Sequence, residues 1–187
     1  HALDRRQRQM CIRDRIPCLN EESTIGDVVR GFKKKLPKAK VIVYDNNSTD
    51  NSVKIAKKYG AEVFLVSKQG KGNVVRRMFE ENINANFFIM IDADNTYDIA
   101  NIKDILKKMQ DENFDMMVAK RIHSDSSAYR TGHVFGNYFF SKFVNLIFGN
   151  DITDIFSGFR IFSKRFIKTF PQNSTEFEIE AELTIHA

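Results

Sequence analysis

Two carboxylates near the middle of the chain have the spacing of a metal site. Asp92 and Asp94 flank Ala93 directly after an apolar run at residues 87–91. If this run is a strand, residues i and i+2 share a face, so both carboxylates can meet one hard divalent cation, which prefers oxygen ligands. A solvated turn that caps a helix is the commoner meaning of a lone Asp-x-Asp, so the motif by itself leaves both interpretations open.

A glycine turn and three arginines offer groups that bind phosphate. Gly70-Lys71-Gly72 precedes an amphipathic stretch and can present backbone amides and one ammonium to a phosphate. The turn lacks the ending of a Walker loop and the third glycine of a dinucleotide fingerprint, so a plain helix-entry turn is the simpler interpretation. Arg121, Arg130 and Arg160 are either solvated surface charges or, with a phosphate-rich ligand, forks for its oxygens.

Polar segments follow three of the predicted strands. They occupy residues 17–22, 45–50 and 92–95. In an open parallel sheet, ligands bind beyond the carboxyl ends of the strands, because loops and helix amino termini converge there. We therefore expect a ligand to bind where these three segments meet.

The elements that carry these segments alternate along the chain. Short β-rich runs are separated by amphipathic stretches of about 10 to 16 residues, the pattern of an α/β protein. The first helix is the best defined, since its apolar residues recur at helical spacing: Ile25, Val28, Val29, Phe32 and Leu36. Strands are predicted at residues 41–44, 62–66, 87–91 and 115–119, with a strand or loop at 154–162.

The composition is that of one ordinary globular domain. Of the 187 residues, 42% are hydrophobic and 28% are charged, and no apolar stretch approaches the roughly 20 residues of a membrane-spanning helix. The net charge of +5 comes largely from five arginines within residues 1–15, so the chain lacks the dense basic face of a nucleic-acid binder. Two cysteines are too few for a disulfide framework, which favours a reducing, cytosolic setting.

Both ends of the chain depart from this pattern. Residues 1–15 show no periodicity, and we interpret them as a cloning or sequence-assembly remnant or a disordered basic tail. Charges at Arg13 and Asp14 would cost several kcal/mol if buried unpaired in a central strand, so we place the domain at residues 16–187. The chain stops inside what looks like a helix, so we also expect a truncated carboxyl end.

Taken in order, five motifs resemble those of the family 2 glycosyltransferases. They are Ile16-Pro17-Cys18-Leu19-Asn20-Glu21-Glu22, Asp45-Asn46-Asn47-Ser48-Thr49-Asp50, Gly70-Lys71-Gly72-Asn73, Asp92-Ala93-Asp94 and Asp154-Ile155-Phe156-Ser157-Gly158-Phe159-Arg160. The branch that the chain resembles contains dolichol-phosphate mannosyltransferase and the bacterial polyprenyl-phosphate glycosyltransferases. The resemblance implies a GT-A fold, a single Rossmann-like α/β domain with a mostly parallel central sheet flanked by helices.

The same resemblance implies a role for each motif. The nucleotide-sugar donor would meet Pro17, Asn20, Glu21 and Asp45. Asp92 and Asp94, with Ala93 between them, would hold Mg²⁺ or Mn²⁺ against the diphosphate, with Lys71 nearby and Asp94 also counted as catalytic. The acceptor side would contain Arg121, Arg130, Asp154, Ser157 and Arg160. In the second motif, the family's common Asp-Asp-Gly-Ser reads Asp45-Asn46-Asn47-Ser48, so only the first carboxylate remains.

The implied reaction is metal-dependent transfer of a sugar, with inversion, from a GDP- or UDP-sugar to a polyprenyl phosphate. An acceptor phosphate is already an anion, so no strong general base is needed, and the sequence offers none that stands out. Such an enzyme would work at the cytoplasmic face of a membrane and would bind no nucleic acid. The sequence does not decide whether it forms a homo-oligomer. The alternatives are a hydroxyl acceptor, with Asp154 as the base, and a catalytically silent nucleotide-sugar or anionic-lipid binding module.

Overall fold

A computed structural model describes residues 11–81, 85–119, 157–171 and 173–187. These residues form one six-stranded sheet with six helices. The strands are β1 (Ile12–Cys18), β2 (Lys40–Asp45), β3 (Glu62–Leu65), β4 (Phe87–Met90), β5 (Met116–Val118) and β6 (Arg160–Ser163). The helices are α1 (Ile25–Lys35), α2 (Ser52–Lys58), α3 (Lys71–Glu80), α4 (Ile102–Asp111), α5 (Lys164–Thr169) and α6 (Glu178–His186).

The strand order of the sheet is β3-β2-β1-β4-β6-β5. Strands β1 to β4 are parallel, whereas β6 runs antiparallel to both β4 and β5. The predicted mostly parallel sheet in one α/β domain is therefore confirmed, with antiparallel pairing confined to one side. The strand positions also agree with the sequence pattern, since the predicted stretches 41–44, 62–66, 87–91 and 115–119 overlap β2, β3, β4 and β5 in turn.

Helices cover both faces of the sheet. Alternate residues of β2 enter different cores, with Val41 and Val43 on one face and Ile42 and Tyr44 on the other. The first core receives residues of α1, α2 and α4, and the second receives residues of α3, α5 and α6. Of the described helices, none is long and apolar enough to cross a bilayer, and the longest, α1, has 11 residues.

Strand β1 contains residues that the sequence assigned to a tail. Ile12 pairs with β4, and Arg13, Asp14 and Arg15 pair with both β2 and β4, so these residues belong to the sheet and not to a disordered tail. Backbone pairing with two neighbouring strands overrides the polarity of the side chains. Asp14 and Arg15 are consequently buried in the middle of the sheet.

These two buried charges are poorly paired. Both carboxylate oxygens of Asp14 lack a hydrogen-bond partner among the residues that the structure describes. Burial raises the pKa of this carboxyl well above its usual value, although Lys33 opposes the shift. The guanidinium of Arg15 donates to the Glu81 carbonyl at 3.0 Å and stacks on the Phe88 ring, with its Cζ 4.3 Å from the ring centroid. Burial lowers the pKa of Arg15 to about 10. The centre of the sheet therefore carries an electrostatic cost.

Candidate functional site

The carboxyl ends of three parallel strands meet at one edge of the sheet. Cys18 and Asp45, the last residues of β1 and β2, are register partners, and Arg15 of β1 pairs with Met90, the last residue of β4. The polar segments after β1, β2 and β4 leave the sheet at this edge. The sequence predicted this convergence from the order of the elements.

The first two of these segments are locked to each other. The Asn20 amide donates to Ser48 Oγ at 2.9 Å, and Asn20 Oδ1 accepts from the Thr49 amide at 2.8 Å. The Glu22 amide donates to Asp50 Oδ2 at 3.0 Å. Asn20, predicted to contact the nucleotide, therefore uses its side-chain oxygen to hold the second segment in place.

Asp45 is the last residue of β2 and lies at the carboxyl edge of the sheet. It is buried, and its Oδ2 accepts from the Ser48 amide at 3.2 Å. Its Oδ1 is also buried and has no hydrogen-bond partner among the described residues. A buried acceptor without a donor is costly, so Oδ1 is suited to accept a hydrogen bond from a ligand.

Asn46 fastens the glycine turn to the same edge. Its Nδ2 donates to the carbonyls of Val66 and Lys68 at 2.8 and 2.9 Å, and its Oδ1 accepts from the Gly70 amide at 2.9 Å. The side-chain amide thus makes two donor contacts and one acceptor contact. A carboxylate has no proton to donate at neutral pH, so Asp at this position could not make the same three contacts.

Lys71, the first residue of α3, is held between two carboxylates. Its Nζ lies 2.8 Å from Asp92 Oδ1 and 2.5 Å from Glu180 Oε1, a residue of α6. Burial by itself lowers the pKa of Lys71, but the charges of Asp92 and Glu180 outweigh it and raise the pKa, so the ammonium stays protonated. The structure thus brings the predicted residues Lys71 and Asp92 together.

Asp92 is backed by the turn that precedes β6. A Cβ atom on Gly158 would overlap the Asp92 carboxylate, so glycine is needed at this position. The Gly158 amide donates to the Tyr97 hydroxyl at 2.8 Å, and the Ser157 hydroxyl lies 2.6 Å from the Ala119 carbonyl. Ser157, predicted on the acceptor side, is buried in this turn.

Negative charge accumulates at this edge. Asp94 is exposed, and its Oδ1 accepts from the Thr96 amide at 3.0 Å. Burial raises the pKa of Glu21, and the charges of Asp94 and Asp92 raise it further, against a hydrogen bond from Thr24 that lowers it. Within the described residues, no group of three or more side chains has the arrangement of a complete metal site. Two carboxylates beside one ammonium can instead share a cation with an anionic ligand such as a diphosphate.

The sequence model of one protein family, Glycosyl transferase family 2, matches residues 15–170. The chain belongs to this family. The resemblance found in the five motifs is confirmed at this level. The family match does not confirm the narrower resemblance to the polyprenyl-phosphate branch.

The chain is similar in sequence to several curated proteins. Protein RfbJ of Shigella flexneri is 40% identical over 119 residues, which cover 63% of this chain and 92% of RfbJ. Glycosyltransferase AglJ of Haloferax volcanii is 32% identical over 171 residues, which cover 90% of this chain. The chain spans 55% of AglJ, about half the length of that relative.

Solved structures share the fold. Glucosyl-3-phosphoglycerate synthase from Mycobacterium tuberculosis in complex with phosphoglyceric acid has a TM-score of 0.76 at 19% identity, covering 94% of this chain and 64% of that one. The same enzyme in complex with Mn²⁺, uridine diphosphate and phosphoglyceric acid has a TM-score of 0.77 at 20% identity, covering 94% and 63%. The GT-A fold implied for this family 2 domain is confirmed.

The second motif departs from the common glycosyltransferase loop for structural reasons. Asn46 replaces the family's second aspartate and supplies the two donor contacts described above. Asn47 replaces its glycine and has a φ of 68°, a left-handed conformation that asparagine tolerates better than most residues. Both replacements therefore suit the backbone of this chain.

Of two further residues predicted to bind the donor, Ala93 is buried and Pro17 is partly buried. The Ala93 side chain is buried in the first core, which leaves only its backbone for a ligand. Pro17 lies in β1 beyond the last residue pair with β4, where its missing N–H does not break that ladder. Their predicted roles in nucleotide binding stay predictions.

Arg160 is buried in the structure. The residue has no exposed surface, and its guanidinium donates to the Ser157 carbonyl at 2.9 Å and to Thr184 Oγ1 at 2.8 Å. Arg160 therefore joins the Ser157 turn to α6 inside the protein. Its predicted role on the acceptor side stays a prediction. The motif Ser-Gly-Phe-Arg gave no sign that the residue is buried, because burial depends on the helix packed over β6.

Three predicted acceptor residues, Arg121, Arg130 and Asp154, lie outside the described residues. Sequence analysis in turn missed Glu180 and Tyr97, which hold Lys71 and the Gly158 turn. The available signal for Glu180 was its place among Ile179, Leu183 and Thr184 on the buried face of α6. An acidic residue on such a face needs a buried partner.

Proposed function

We propose that this chain is the catalytic domain of a hexosyltransferase that moves a sugar from a nucleotide-diphosphate sugar to a polyprenyl phosphate, with inversion at the anomeric carbon. The observation that carries the proposal is the contact of Lys71 with Asp92 beside Asp94, at the edge where a ligand is expected. Family membership supports the reaction type, and the solved neighbour with Mn²⁺ and uridine diphosphate supports the kind of donor.

Asp92 and Asp94 would hold Mg²⁺ or Mn²⁺ at this edge. The donor set fits such an ion, because carboxylate oxygens are the ligands that hard cations prefer and Glu21 adds further negative charge nearby. A bound divalent cation neutralises charge on the departing diphosphate. The ammonium of Lys71 would add to this effect, since a fixed positive charge beside the leaving group stabilises the transition state.

Asp45 and the segment after β1 would bind the nucleoside. The unpaired Oδ1 of Asp45 supports a hydrogen bond from the base or the ribose. Pro17, Asn20 and Glu21 lie along the same edge, where Asn20 fixes the loop that follows Asp45. This arrangement supports a nucleotide that lies over β1 and β2 with its diphosphate toward Lys71.

The pairing of Glu180 with Lys71 is consistent with a phosphate acceptor. An acceptor phosphate needs no deprotonation, whereas a hydroxyl acceptor needs a base. Glu180 is buried and paired with Lys71, so it is poorly placed to take a proton from an acceptor. The alternative of a hydroxyl acceptor draws on the solved neighbour in complex with phosphoglyceric acid, and Asp154 would then be the base.

A polyprenyl acceptor would bring the reaction to a membrane surface, and we propose the cytoplasmic face. Three exposed apolar side chains near the carboxyl edge of the sheet support contact with lipid: Leu19, Leu65 and Phe177. Leu65 is 72% exposed at the end of β3, and Phe177 is 66% exposed with its ring 5.9 Å from Lys71 Nζ. Replacing Leu65 with Ser should weaken cosedimentation with polyprenyl-phosphate vesicles. Phe114→Ser, at the opposite edge before β5, is the control.

Binding of donor nucleotides tests the donor half of the proposal. Calorimetry with GDP-mannose, UDP-glucose and UDP-GlcNAc, each with Mn²⁺ or EDTA, should show one nucleotide bound only with the metal. Asp92→Asn should weaken that binding at least about tenfold, because a charged ligand is lost. Asp104→Asn, at an exposed residue of α4, is the matched control. The metal site would be contradicted if the nucleotide bound equally well with Mn²⁺ and with EDTA, and equally well to wild type and to Asp92→Asn.

Turnover tests the acceptor half. With the nucleotide-sugar that binds, the chain should transfer sugar to a short polyprenyl phosphate and not to phosphoglyceric acid or simple glycosides. The rate should show no acidic limb, which is the loss of activity at low pH that protonation of an acceptor-activating base would cause. Transfer to a hydroxyl acceptor would favour the alternative enzyme, and nucleotide binding without any turnover would favour a silent binding module.

A further inference from the structure

The loop before α6 is seated on the glycine turn that begins α3. The Asn73 amide donates to the Thr175 carbonyl at 3.2 Å. A Cβ atom on Gly70 would lie 2.5 Å from the Thr175 carbonyl oxygen, and one on Gly72 would lie 2.6 Å from that of Ser174. The two glycines therefore permit a close backbone approach, and a side chain at either position would push the loop away.

Helix α6 holds this loop and is itself anchored to the sheet. The Glu182 carboxylate accepts from the amides of Asn173 and Ser174, both at 2.9 Å. Thr184 donates to the Glu180 carbonyl at 2.9 Å and accepts from Arg160 of β6. Glu180 thus has a fixed place in the fold before it meets any ligand.

Glu180 and Asp92 together determine where the Lys71 ammonium lies. Glu180 is buried, with its Oε1 2.5 Å from Lys71 Nζ. A lysine side chain has four rotatable bonds and loses considerable entropy when it is fixed. A side chain that is already fixed in the free protein does not incur this loss when the ligand binds.

We propose that Glu180 is a positioning residue that holds the ammonium of Lys71 at Asp92, ready to meet the diphosphate of the nucleotide. The inference rests on the proposed donor site and adds a residue from the far end of the chain to it. In this role Glu180 touches neither the sugar nor the acceptor, and it acts on binding through Lys71. It also explains why an acidic residue occupies the buried face of α6.

A double-mutant cycle on nucleotide affinity tests this role. The variants are Lys71→Met, Glu180→Gln and the pair together, and the measurement is the Kd of UDP and of GDP with Mn²⁺. Each single change should weaken binding at least about tenfold, and the double variant should bind no more weakly than Lys71→Met alone. Glu178→Gln changes an exposed residue two positions before Glu180 on α6 and should leave the Kd unchanged.

The outcomes separate this inference from the donor site itself. If wild type binds neither nucleotide, the donor site and the inference both fail. If wild type binds and Glu180→Gln binds equally well, or if the two single losses add in the double variant, the inference alone fails. A proton-accepting role for Glu180 would likewise leave the Kd intact and instead change the pH profile of kcat.

Folding of the variants is checked in the same samples. Circular dichroism and thermal melting without nucleotide should show the native structure for each variant. If Glu180→Gln does not fold, Glu180→Asp keeps the charge but shortens the side chain by one methylene. That variant should weaken nucleotide binding less than Lys71→Met does, and unchanged binding would overturn the inference.

Discussion

The backbone of Gly158 lies against the Asp92 carboxylate so closely that no side chain fits between them. The two residues are far apart in the sequence, yet the turn before β6 forms the wall behind the candidate metal ligand. The space that glycine leaves is therefore part of the site.

Gly158→Ala should abolish metal-dependent nucleotide binding, because the added methyl displaces the Asp92 carboxylate. Calorimetry with Mn²⁺ and the donor nucleotide measures the loss. Gly31→Ala is the control, since this helix position meets only the flexible end of Ile99, with the added Cβ 3.1 Å from its Cδ1. Unchanged binding in Gly158→Ala would mean that Asp92 does not need its present position.

Tyr97→Phe should lower the free energy of unfolding and weaken nucleotide binding. The change removes the oxygen that accepts from the Gly158 amide at 2.8 Å, and leaving a buried N–H without an acceptor costs about 1–3 kcal/mol. Urea unfolding should show that loss, and the nucleotide Kd should rise because the turn behind Asp92 relaxes. Tyr59→Phe, on a partly exposed residue after α2, should change neither quantity.

Asn46→Asp should destabilise the protein even though it restores the residue common in the family. The carboxylate would face the Val66 and Lys68 carbonyls, which now accept from Asn46, and each lost donor costs about 1–3 kcal/mol. Thermal melting measures the effect, and Asn113→Asp on the exposed turn after α4 is the comparison. A higher melting temperature for Asn46→Asp would contradict the hydrogen-bond assignment.

Asp14→Val should stabilise the protein by about 1–3 kcal/mol, because it removes a buried carboxyl that has no hydrogen-bond partner in the described part of the chain. The folded-state pKa of Asp14 is raised above its ordinary value of 3.8, so wild type loses stability as the pH rises from that value through the folded-state pKa. The advantage of Asp14→Val should therefore be larger at about pH 8 than at about pH 4, near the ordinary pKa of the carboxyl. Urea unfolding at both pH values measures it, and an equal advantage at both would contradict the shift.

The sequence by itself determined the elements and the edge at which the site lies. The stripe of Ile25, Val28 and Phe32 predicted α1, and the apolar run before Asp92 predicted β4, because helical and strand periodicities are local properties of the chain. The order of these elements then predicted a parallel sheet with polar segments at its carboxyl edge. The five motifs were sufficient to indicate the family.

Charged residues in β1 misled the sequence analysis. Arg13, Asp14 and Arg15 suggested a tail, yet they pair with β2 and β4 because the backbone of a central strand can be satisfied whatever its side chains are. This arrangement is energetically unfavourable because it buries the charged side chains of Asp14 and Arg15. Periodicity reports side-chain polarity and not backbone pairing, so it could not identify this strand.

Only the tertiary structure decided which distant residues meet. Lys71 and Glu180 form an ion pair across 109 positions, and Arg160 is buried because α6 packs over β6. Neither contact leaves a local pattern in the sequence, since each depends on how a helix from the end of the chain docks on the sheet. The motifs identify which chemical groups are available at the site, but the packing of the helices on the sheet decides where the charged groups lie.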